Sequence, residues 1–355
     1  MGGANETWIT CPARPANGGL GQNLVQQVHE ARARGEVVRC IAPGMAPDEG
    51  LAVDPVPVVS LARATPLRFS RRWLTTTGNV AFDLGAAARL RPGARLLAYN
   101  GAALFTIRRA RRLGYRQIDL MSATLHVDQI WEAQERARLD SGGDRGWLGP
   151  LERRRTLQEY AEADRILVCS PLALETFATR GVPREKLALV DLRPDPRFSR
   201  ARVAPRADGV FRAVYTGDIS ALKGAHVLRL AFGRLRDVEA RLTLVGGTGS
   251  RFMRRFMEAW LREDDRVTVQ PGDPLPHLLQ ADVYVHPSYS DGFPLASTEA
   301  LACGVPVILS ADSGTRHLVQ EGRTGFVVPT GDAAALHDRL RRIAAGQLLP
   351  ASTRA

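Results

Sequence analysis

Short apolar runs alternate with stretches of helical periodicity along the first half of the chain. A short apolar run bounded by turn residues predicts a buried strand, whereas apolar positions three to four residues apart predict a helix. Because the two kinds of segment alternate, we expect the strands to lie parallel in one sheet covered by helices. The predicted strands are residues 6–10, 37–42, 95–99, 117–121, 166–169 and 187–190, and the predicted helices are residues 22–35, 77–89, 102–113, 151–163 and 171–180.

The same alternation restarts after residue 209. Residues 193–209 combine prolines and charges without periodicity, which is typical of a linker. Strands are predicted at residues 211–215, 242–245, 267–269, 283–285 and 326–328, with another after Gly304. Helices are predicted at 225–235, between residues 249 and 267, and at 276–279, 294–304 and 332–343. We therefore predict an α/β protein with two Rossmann-like, doubly wound domains, residues 1–200 and 201–355, facing a central cleft.

Residues 283–310 form the most informative stretch and predict a strand, a loop, a helix and a second strand. Pro294 suits the first turn of the helix, and Gly304 ends it. The first backbone N–H groups of a helix lack partners inside it and attract anions. Asp291 precedes this helix and Glu299 lies within it. The stretch therefore predicts a site for an anion flanked by hydroxyls, as in a nucleotide sugar.

Three glycine-containing loops follow predicted strands. The first holds Gly18 and Gly19, the second comprises residues 217–224 with Lys223, and the third begins at Gly246. A loop of this kind before a helix tolerates a phosphate group. The G-x-G-x-x-G spacing is absent, however, and no acid follows at a second strand end, which disfavours a dinucleotide-dependent oxidoreductase.

His126 lies just past the predicted strand 117–121, where doubly wound folds collect their ligands. The sequence leaves two roles open for this side chain. It is either a base or hydrogen-bond donor to a substrate sugar, or a histidine that caps or packs beside the strand.

The basic charge belongs mainly to the first half of the chain. Residues 1–205 carry 30 basic and 21 acidic side chains, against 18 and 16 in residues 206–355. Such an excess suits an anionic membrane surface or a phosphorylated acceptor, with solvated helix faces as the alternative, and no accompanying motif favours nucleic acid. Lysine is rare, because only Lys186 and Lys223 occur.

Neither a membrane-spanning apolar run nor a signal peptide is predicted, which favours a cytoplasmic protein with at most peripheral membrane contact. The four cysteines, Cys11, Cys40, Cys169 and Cys303, form no CxxC pair, which argues against a zinc ribbon or a dithiol redox site.

Residues 291–307 (DGFPLASTEALACGVPV) resemble the E-x7-E region of retaining GT-B glycosyltransferases of the family-four kind. Residues 217–224 resemble that family's phosphate-binding loop, residues 246–249 its next glycine turn, and residues 322–332 its closing segment. Gly18 and Gly19 stand where such proteins have an N-terminal glycine pair. The resemblance covers the second half of the chain in detail and the first half in outline.

The resemblance implies a GT-B hexosyltransferase that moves a sugar from a nucleotide diphosphate sugar, with UDP-sugar favoured, to a small-molecule, lipid or glycan acceptor with retention. The first domain would hold the acceptor and the second the donor. No cofactor is implied. The implied catalytic residues are His126, Lys223 and Asp291, and the implied donor-binding residues are Gly18, Gly19, Gly217, Asp218, Lys223, Gly246, Gly292, Phe293, Leu295, Ala296 and Glu299.

Two positions depart from the family pattern. Asp291 replaces the usual glutamate and is one methylene shorter, and Asp218 stands where the family usually has an arginine. At an effective dielectric near 20, a unit charge about 4 Å from a phosphate contributes roughly 4 kcal/mol before screening, so Asp218 would disfavour a diphosphate. The alternatives are that Asp218 points away, that a divalent ion bridges it, or that another arginine compensates. A catalytically silent GT-B partner or scaffold protein, and a phosphorylase on the same fold, are the rival functions.

Overall fold

The computed structural model of the protein describes residues 6–15, 18–44, 53–56, 65, 70–201 and 208–346. The chain groups into two compact units. The first comprises residues 1–131 and 147–192, and the second comprises residues 132–146 and 193–355. The second unit therefore includes a short segment from the middle of the chain in addition to the C-terminal part.

Within the described residues of the first unit, parallel strands form one seven-stranded sheet in the order β3-β2-β1-β4-β5-β6-β7. The central strands are almost wholly buried, as expected for a sheet covered on both faces. The strands are β1 (Glu6–Thr10), β2 (Val37–Ala42), β3 (Val53–Pro55), β4 (Arg95–Tyr99), β5 (Gln117–Ser122), β6 (Arg165–Val168) and β7 (Leu187–Leu189), and the helices are α1 (Gly18–Ala33), α2 (Arg71–Arg89), α3 (Leu104–Arg112), α4 (Val127–Ser141), α5 (Pro150–Glu162) and α6 (Pro171–Ala178).

In the described residues of the second unit, six parallel strands form the sheet in the order β10-β9-β8-β11-β12-β13. Its strands are β8 (Phe211–Thr216), β9 (Ala240–Val245), β10 (Val267–Gln270), β11 (Val283–His286), β12 (Val307–Ser310) and β13 (Gly325–Val328), and its helices are α7 (Pro196–Arg200), α8 (Ala225–Gly233), α9 (Arg251–Glu263), α10 (Leu275–Leu278), α11 (Leu295–Ala302) and α12 (Ala333–Ala344). The two parallel sheets confirm the predicted α/β, doubly wound class.

Both sheets reverse their strand order at one point, between β1 and β4 in the first unit and between β8 and β11 in the second. Connections from neighbouring strands leave to opposite faces at such a point, which opens a crevice at the carboxyl ends of the strands. The second sheet has the order 3-2-1-4-5-6 typical of dinucleotide-binding folds.

Four segments differ from the prediction. β3 lies in the proline-rich residues 43–66, for which no element was predicted. α1 begins at Gly18, so the glycine pair opens the helix and does not lie in a loop, although residues 16–17 fall outside the described residues. α4 was not predicted, because small alanines dilute the apolar pattern of its buried face. Part of the predicted linker forms α7, whose Phe198 is buried in the core of the second unit; residues 202–207 of that linker fall outside the described residues.

The start of α3 is held by two buried carboxyl groups from other helices. Asp83 of α2 accepts the backbone N–H groups of Phe105 and Thr106, both at 2.9 Å. Glu159 of α5 accepts those of Gly101 and Ala103, at 2.6 and 2.9 Å. These contacts pair the N–H groups that a helix start leaves unpaired, and they fix α2, α3 and α5 together.

Candidate functional site

The candidate site lies at the switch point of the second sheet, beyond the carboxyl ends of β8 and β11. The loop after β8 (residues 217–224) packs on the loop after β11 (residues 287–294). The carbonyl of Leu222 accepts the Ser288 hydroxyl at 3.2 Å and the Tyr289 N–H at 2.8 Å. The polar loops predicted to bind an anion are therefore side by side.

Two glycines allow the loops to approach this closely. Gly224 has φ +77°, and a Cβ there would lie 2.0 Å from the carbonyl oxygen of Pro287. A Cβ on Gly246, in the turn after β9, would lie 1.9 Å from the carbonyl oxygen of Gly217.

Lys223, Asp291 and His286 converge at the centre of the site. The Lys223 amine donates to Asp291 Oδ2 at 2.5 Å and to the Ser290 carbonyl at 3.3 Å. His286 Nε2 lies 3.0 Å from the same Asp291 oxygen. The structure thus brings together Lys223 and Asp291, both predicted as site residues, around a histidine that the sequence analysis did not single out.

The cluster contains one ion pair, Lys223 with Asp291, beside a neutral imidazole. Burial raises the pKa of Asp291, but Lys223 and His286 outweigh burial and hold it well below its usual range. Burial lowers the pKa of His286, and the neighbouring Asp291 opposes that shift only in part. Near neutral pH, Asp291 is therefore a carboxylate and His286 is neutral.

The backbone of Asp291 is also fixed. Its N–H donates to the Asp312 carbonyl at 3.1 Å, and its carbonyl accepts the Gly314 N–H at 2.8 Å. Oδ1 of Asp291, unlike Oδ2, has no hydrogen-bond partner among the described residues. One carboxylate oxygen is therefore left for a ligand hydroxyl.

The start of α11 follows the loop directly. Gly292 and Leu295 are buried, whereas Phe293 and Ala296 are partly exposed. Leu295 and Ala296 are the first two residues of the helix, so their N–H groups lack partners within it. Glu299, one turn further on, is only 5% exposed. α11, which carries Glu299, packs against α7 and β11.

Asp218 is partly exposed and follows Gly217, whose φ is +126°. Its backbone carbonyl accepts the Tyr215 hydroxyl at 2.6 Å. Within the described ranges, no group of three or more His, Cys, Asp or Glu side chains is arranged to hold a metal ion.

The segment of residues 132–146 also touches the loops of the second unit. Asp144 accepts the Ala221 N–H at 3.0 Å and the Ser250 hydroxyl at 3.1 Å. Asp140 accepts the Tyr289 hydroxyl at 2.6 Å. These contacts between residues far apart in sequence position the two loops, and nothing in the local pattern predicts them.

In the first unit, Gly18 and Gly19 open α1 and are exposed. His126 directly precedes α4 and is 3% exposed. Its Nδ1 accepts the Asp128 N–H at 3.2 Å, and its ring packs 5.1 Å from that of Tyr160. This geometry is that of a histidine that caps a helix and packs in the core, one of the two roles that the sequence left open.

Sequence analysis missed His286 and its aromatic neighbours. The ring is nearly parallel to those of Tyr215 and Tyr284, with centroid distances of 6.1 and 6.2 Å. A usable signal was present, because a histidine at the last position of an otherwise apolar buried strand points to the edge where ligands bind.

A family model matches the C-terminal part of the chain. Residues 200–354 match glycosyl transferases group 1. A D-inositol 3-phosphate glycosyltransferase of Pseudarthrobacter chlorophenolicus is 38% identical over 136 residues, which are 36% of this chain and 32% of that protein. The chain spans about half, or less, of the length of the curated relatives it matches.

Solved structures resemble nearly the whole chain. Sucrose-phosphate synthase from Thermosynechococcus elongatus has a TM-score of 0.71 at 23% identity and covers 97% of this chain and 90% of its own. Anabaena HepE in complex with UDP and glucose has a TM-score of 0.65 at 15% identity and covers 99% and 97%. At these identities the likeness shows the fold alone. The C-terminal part of the chain is therefore similar to glycosyl transferases group 1, and the chain has the GT-B fold of these solved structures.

Proposed function

We propose that this protein transfers a hexose from a nucleotide diphosphate sugar, UDP-sugar in the simplest case, to an acceptor with retention of configuration. The observation that carries the proposal is the Lys223–Asp291 pair, 2.5 Å apart, between the glycine turns and the start of α11. This arrangement offers a cation and backbone N–H groups to a diphosphate, and a carboxylate oxygen to a sugar.

The chemistry assigns each group a role. As the bond between the sugar C1 and the phosphate oxygen breaks, negative charge builds on the departing diphosphate. Lys223 and the N–H groups of Leu295 and Ala296 stabilise that charge. The acceptor oxygen bonds to C1 on the same face, and its proton leaves with the diphosphate. Asp291 Oδ1 receives a hydroxyl of the donor sugar, and Glu299 receives the ribose hydroxyls.

The remaining roles belong to the same proposal. In this proposal His126 donates a hydrogen bond to the donor sugar in addition to its contacts at the start of α4, while Gly18, Gly19, Gly217, Gly246, Gly292 and Phe293 line the donor. The UDP and glucose in the HepE complex favour a uridine donor. A phosphorylated or lipid acceptor suits the basic first half of the chain, and we place the protein in the cytoplasm, with peripheral contact to an anionic membrane.

Donor binding and hydrolysis test this function. The purified protein is screened by thermal shift against UDP-, GDP-, ADP- and TDP-sugars, and hydrolysis of the best ligand is measured without acceptor. We expect one nucleotide sugar to raise Tm. We also expect Lys223→Ala to lower hydrolysis about 100-fold, the loss typical of removing one transition-state donor.

Lys186→Ala is the matched control, because Lys186 is the only other lysine and donates to the Ala161 carbonyl in the first unit. It should hydrolyse the donor at the wild-type rate. If no nucleotide sugar binds or reacts, the alternative function, a catalytically silent GT-B partner protein, is the better hypothesis. Asp218 favours that alternative.

A further inference from the structure

We propose that His286 is a positioning residue that fixes Lys223 by way of Asp291. The inference rests on the proposed function in one respect: the positioned Lys223 amine would meet the donor diphosphate. The chain of contacts runs from His286 Nε2 to Asp291 Oδ2 at 3.0 Å and from that oxygen to the Lys223 amine at 2.5 Å.

Both nitrogens of the imidazole are engaged. A carboxylate can only accept hydrogen bonds, so Nε2 of His286 carries the proton that points at Asp291. In a neutral ring Nδ1 is then an acceptor, and the Tyr284 hydroxyl lies 3.3 Å from it. The tautomer follows from these two partners together.

The ring itself has little freedom. His286 is 3% exposed, and the rings of Tyr215 and Tyr284 lie nearly parallel to it, at 9° and 12°. The Tyr215 hydroxyl also donates to the Asp218 carbonyl, so the tyrosine that packs on His286 also fixes the loop after β8. His286 is thus a rigid donor on the end of a central strand, as a positioning group requires.

Asp291 needs such support because its side chain has two ways to meet Lys223. Oδ2 receives both Lys223 and His286, whereas Oδ1 has no hydrogen-bond partner in the described part of the chain. Without His286, rotation of the carboxylate would let either oxygen take the lysine. The Lys223 amine has three N–H groups, of which Asp291 and the Ser290 carbonyl use two. The direction of the third, which would meet a phosphate, is set by the other two.

Lysine-selective NMR tests this coupling without any substrate. The chain contains only two lysines, Lys186 and Lys223, so a protein labelled with 13C and 15N at lysine gives two side-chain signals, assigned with Lys186→Arg. We expect His286→Leu to shift the Lys223 signal and leave that of Lys186 in place. His286→Gln, whose amide N–H can occupy the position of Nε2, should restore most of the wild-type shift.

The link through Asp291 is tested by a double variant. In an Asp291→Asn background, His286→Leu should change the Lys223 signal far less than it does in the wild type, because the connecting carboxylate is already lost. Equal shifts in the two backgrounds, or a Lys223 signal unaffected by His286→Leu, would overturn the proposal. His286→Gln also shows whether His286→Leu has merely disturbed the fold.

Donor hydrolysis supplies the functional readout. His286→Leu should lower kcat by about tenfold or more with a smaller change in KM, and His286→Gln should recover most of the loss. Equal losses in the two variants would contradict a role through the N–H group. If no nucleotide sugar is hydrolysed but the Lys223 signal responds as expected, the proposed function fails while the positioning of Lys223 by His286 stands.

Discussion

Asp218 is the residue whose chemistry fits the proposed donor least well. It lies next to Gly217 in the loop that would face the diphosphate, and the Tyr215 hydroxyl holds its backbone carbonyl at 2.6 Å. The backbone position is therefore fixed, and the carboxylate is only partly exposed. A negative charge at such a position weakens anion binding unless the side chain turns away.

Reversing the charge at this position should tighten the binding of a nucleoside diphosphate. For Asp218→Arg we expect a Kd for UDP about tenfold lower than that of the wild type, or about 1.4 kcal/mol, with Asp218→Asn in between. Isothermal titration calorimetry at fixed salt measures the difference. Glu258→Arg, an exposed position on α9, makes the same change in net charge and should leave the Kd unchanged. Unchanged binding in Asp218→Arg would mean that this side chain does not face the diphosphate.

Packing between loops and strands is what turns separate sequence motifs into one site. Gly224 ends the loop that carries Lys223, and its contact with the Pro287 carbonyl places that loop on the one that carries Asp291. The same loop is held by the Leu222 carbonyl, which accepts from Ser288 and Tyr289. The spacing of Lys223 and Asp291 therefore depends on backbone contacts more than on either side chain.

A side chain at residue 224 should separate the two loops. Gly224→Ala meets a positive φ of +77° and a backbone oxygen 2.0 Å from the new Cβ, so we expect a loss of about 3 kcal/mol in the free energy of unfolding. For a unit of this size that loss lowers Tm by about 6–12 °C, and donor-dependent stabilisation should disappear. Differential scanning calorimetry with and without donor measures both effects.

Gly233→Ala is the control for this substitution. Gly233 is the last residue of α8, and a Cβ there meets nothing within 4 Å. Alanine favours a helix over glycine by up to about 1 kcal/mol, so Tm should stay constant or rise slightly. If both variants lost stability equally, the close approach to Pro287 would not be the cause.

The anchoring of α3 makes the stability of the first unit depend on pH. Burial raises the pKa of Glu159 to about 8 and that of Glu152 to about 7, although N–H donors from Ala103 and Gly101 oppose the shift at Glu159. A carboxyl whose pKa is raised on folding stabilises the folded state below its unfolded pKa, and this contribution is lost as pH rises through the folded value. Stability from these groups should fall between about pH 5 and pH 8.

Glu159→Gln should remove part of that dependence. We expect a lower Tm at pH 5, because the amide NH2 group cannot accept a backbone N–H, whereas the hydroxyl oxygen of the protonated carboxyl can. We also expect a smaller decrease in Tm from pH 5 to pH 8 than in the wild type. Calorimetry over this pH range gives the comparison. Glu185→Gln, an exposed change in the same unit, should keep the wild-type dependence. An unchanged slope in Glu159→Gln would exclude Glu159 as a source of the pH effect.

The elements show which features a sequence can predict. Strand 95–99 was predicted with the bounds that β4 has, because a buried parallel strand is a compact apolar run between turn residues. α4 escaped prediction because alanine fills much of its buried face. The family resemblance placed Lys223 and Asp291 in one site but did not predict that they form an ion pair. The contact of His286 with Asp291 depends on a loop that folds back on its own strand. Local periodicity does not encode such contacts.

At the scale of the whole molecule, the structure shows which arginines of the basic first half are paired with acidic side chains. Arg108 pairs with Glu162, Arg111 with Asp164, and Arg153 with Asp128. These arginines are therefore paired with acids of their own unit, and the net basic excess rests on arginines other than these. Arg109 and Arg112, by contrast, have no acidic partner within 4 Å among the described residues, and they lie at the C-terminal end of α3.

The unpaired arginines make a sharp prediction for membrane contact. None of the helices in the described ranges is long and apolar enough to cross a bilayer. We expect the protein to sediment with vesicles that contain anionic lipid, to sediment much less with neutral vesicles, and to be released at about 0.5 M NaCl, where charge interactions are screened beyond a few ångströms.

Arg109→Glu combined with Arg112→Glu should abolish sedimentation. Arg254→Glu combined with Arg255→Glu, on exposed positions of α9, makes the same charge change in the second unit and should have little effect. Equal sedimentation with neutral and anionic vesicles would contradict an electrostatic contact, and equal losses in the two double variants would assign the effect to net charge rather than to α3.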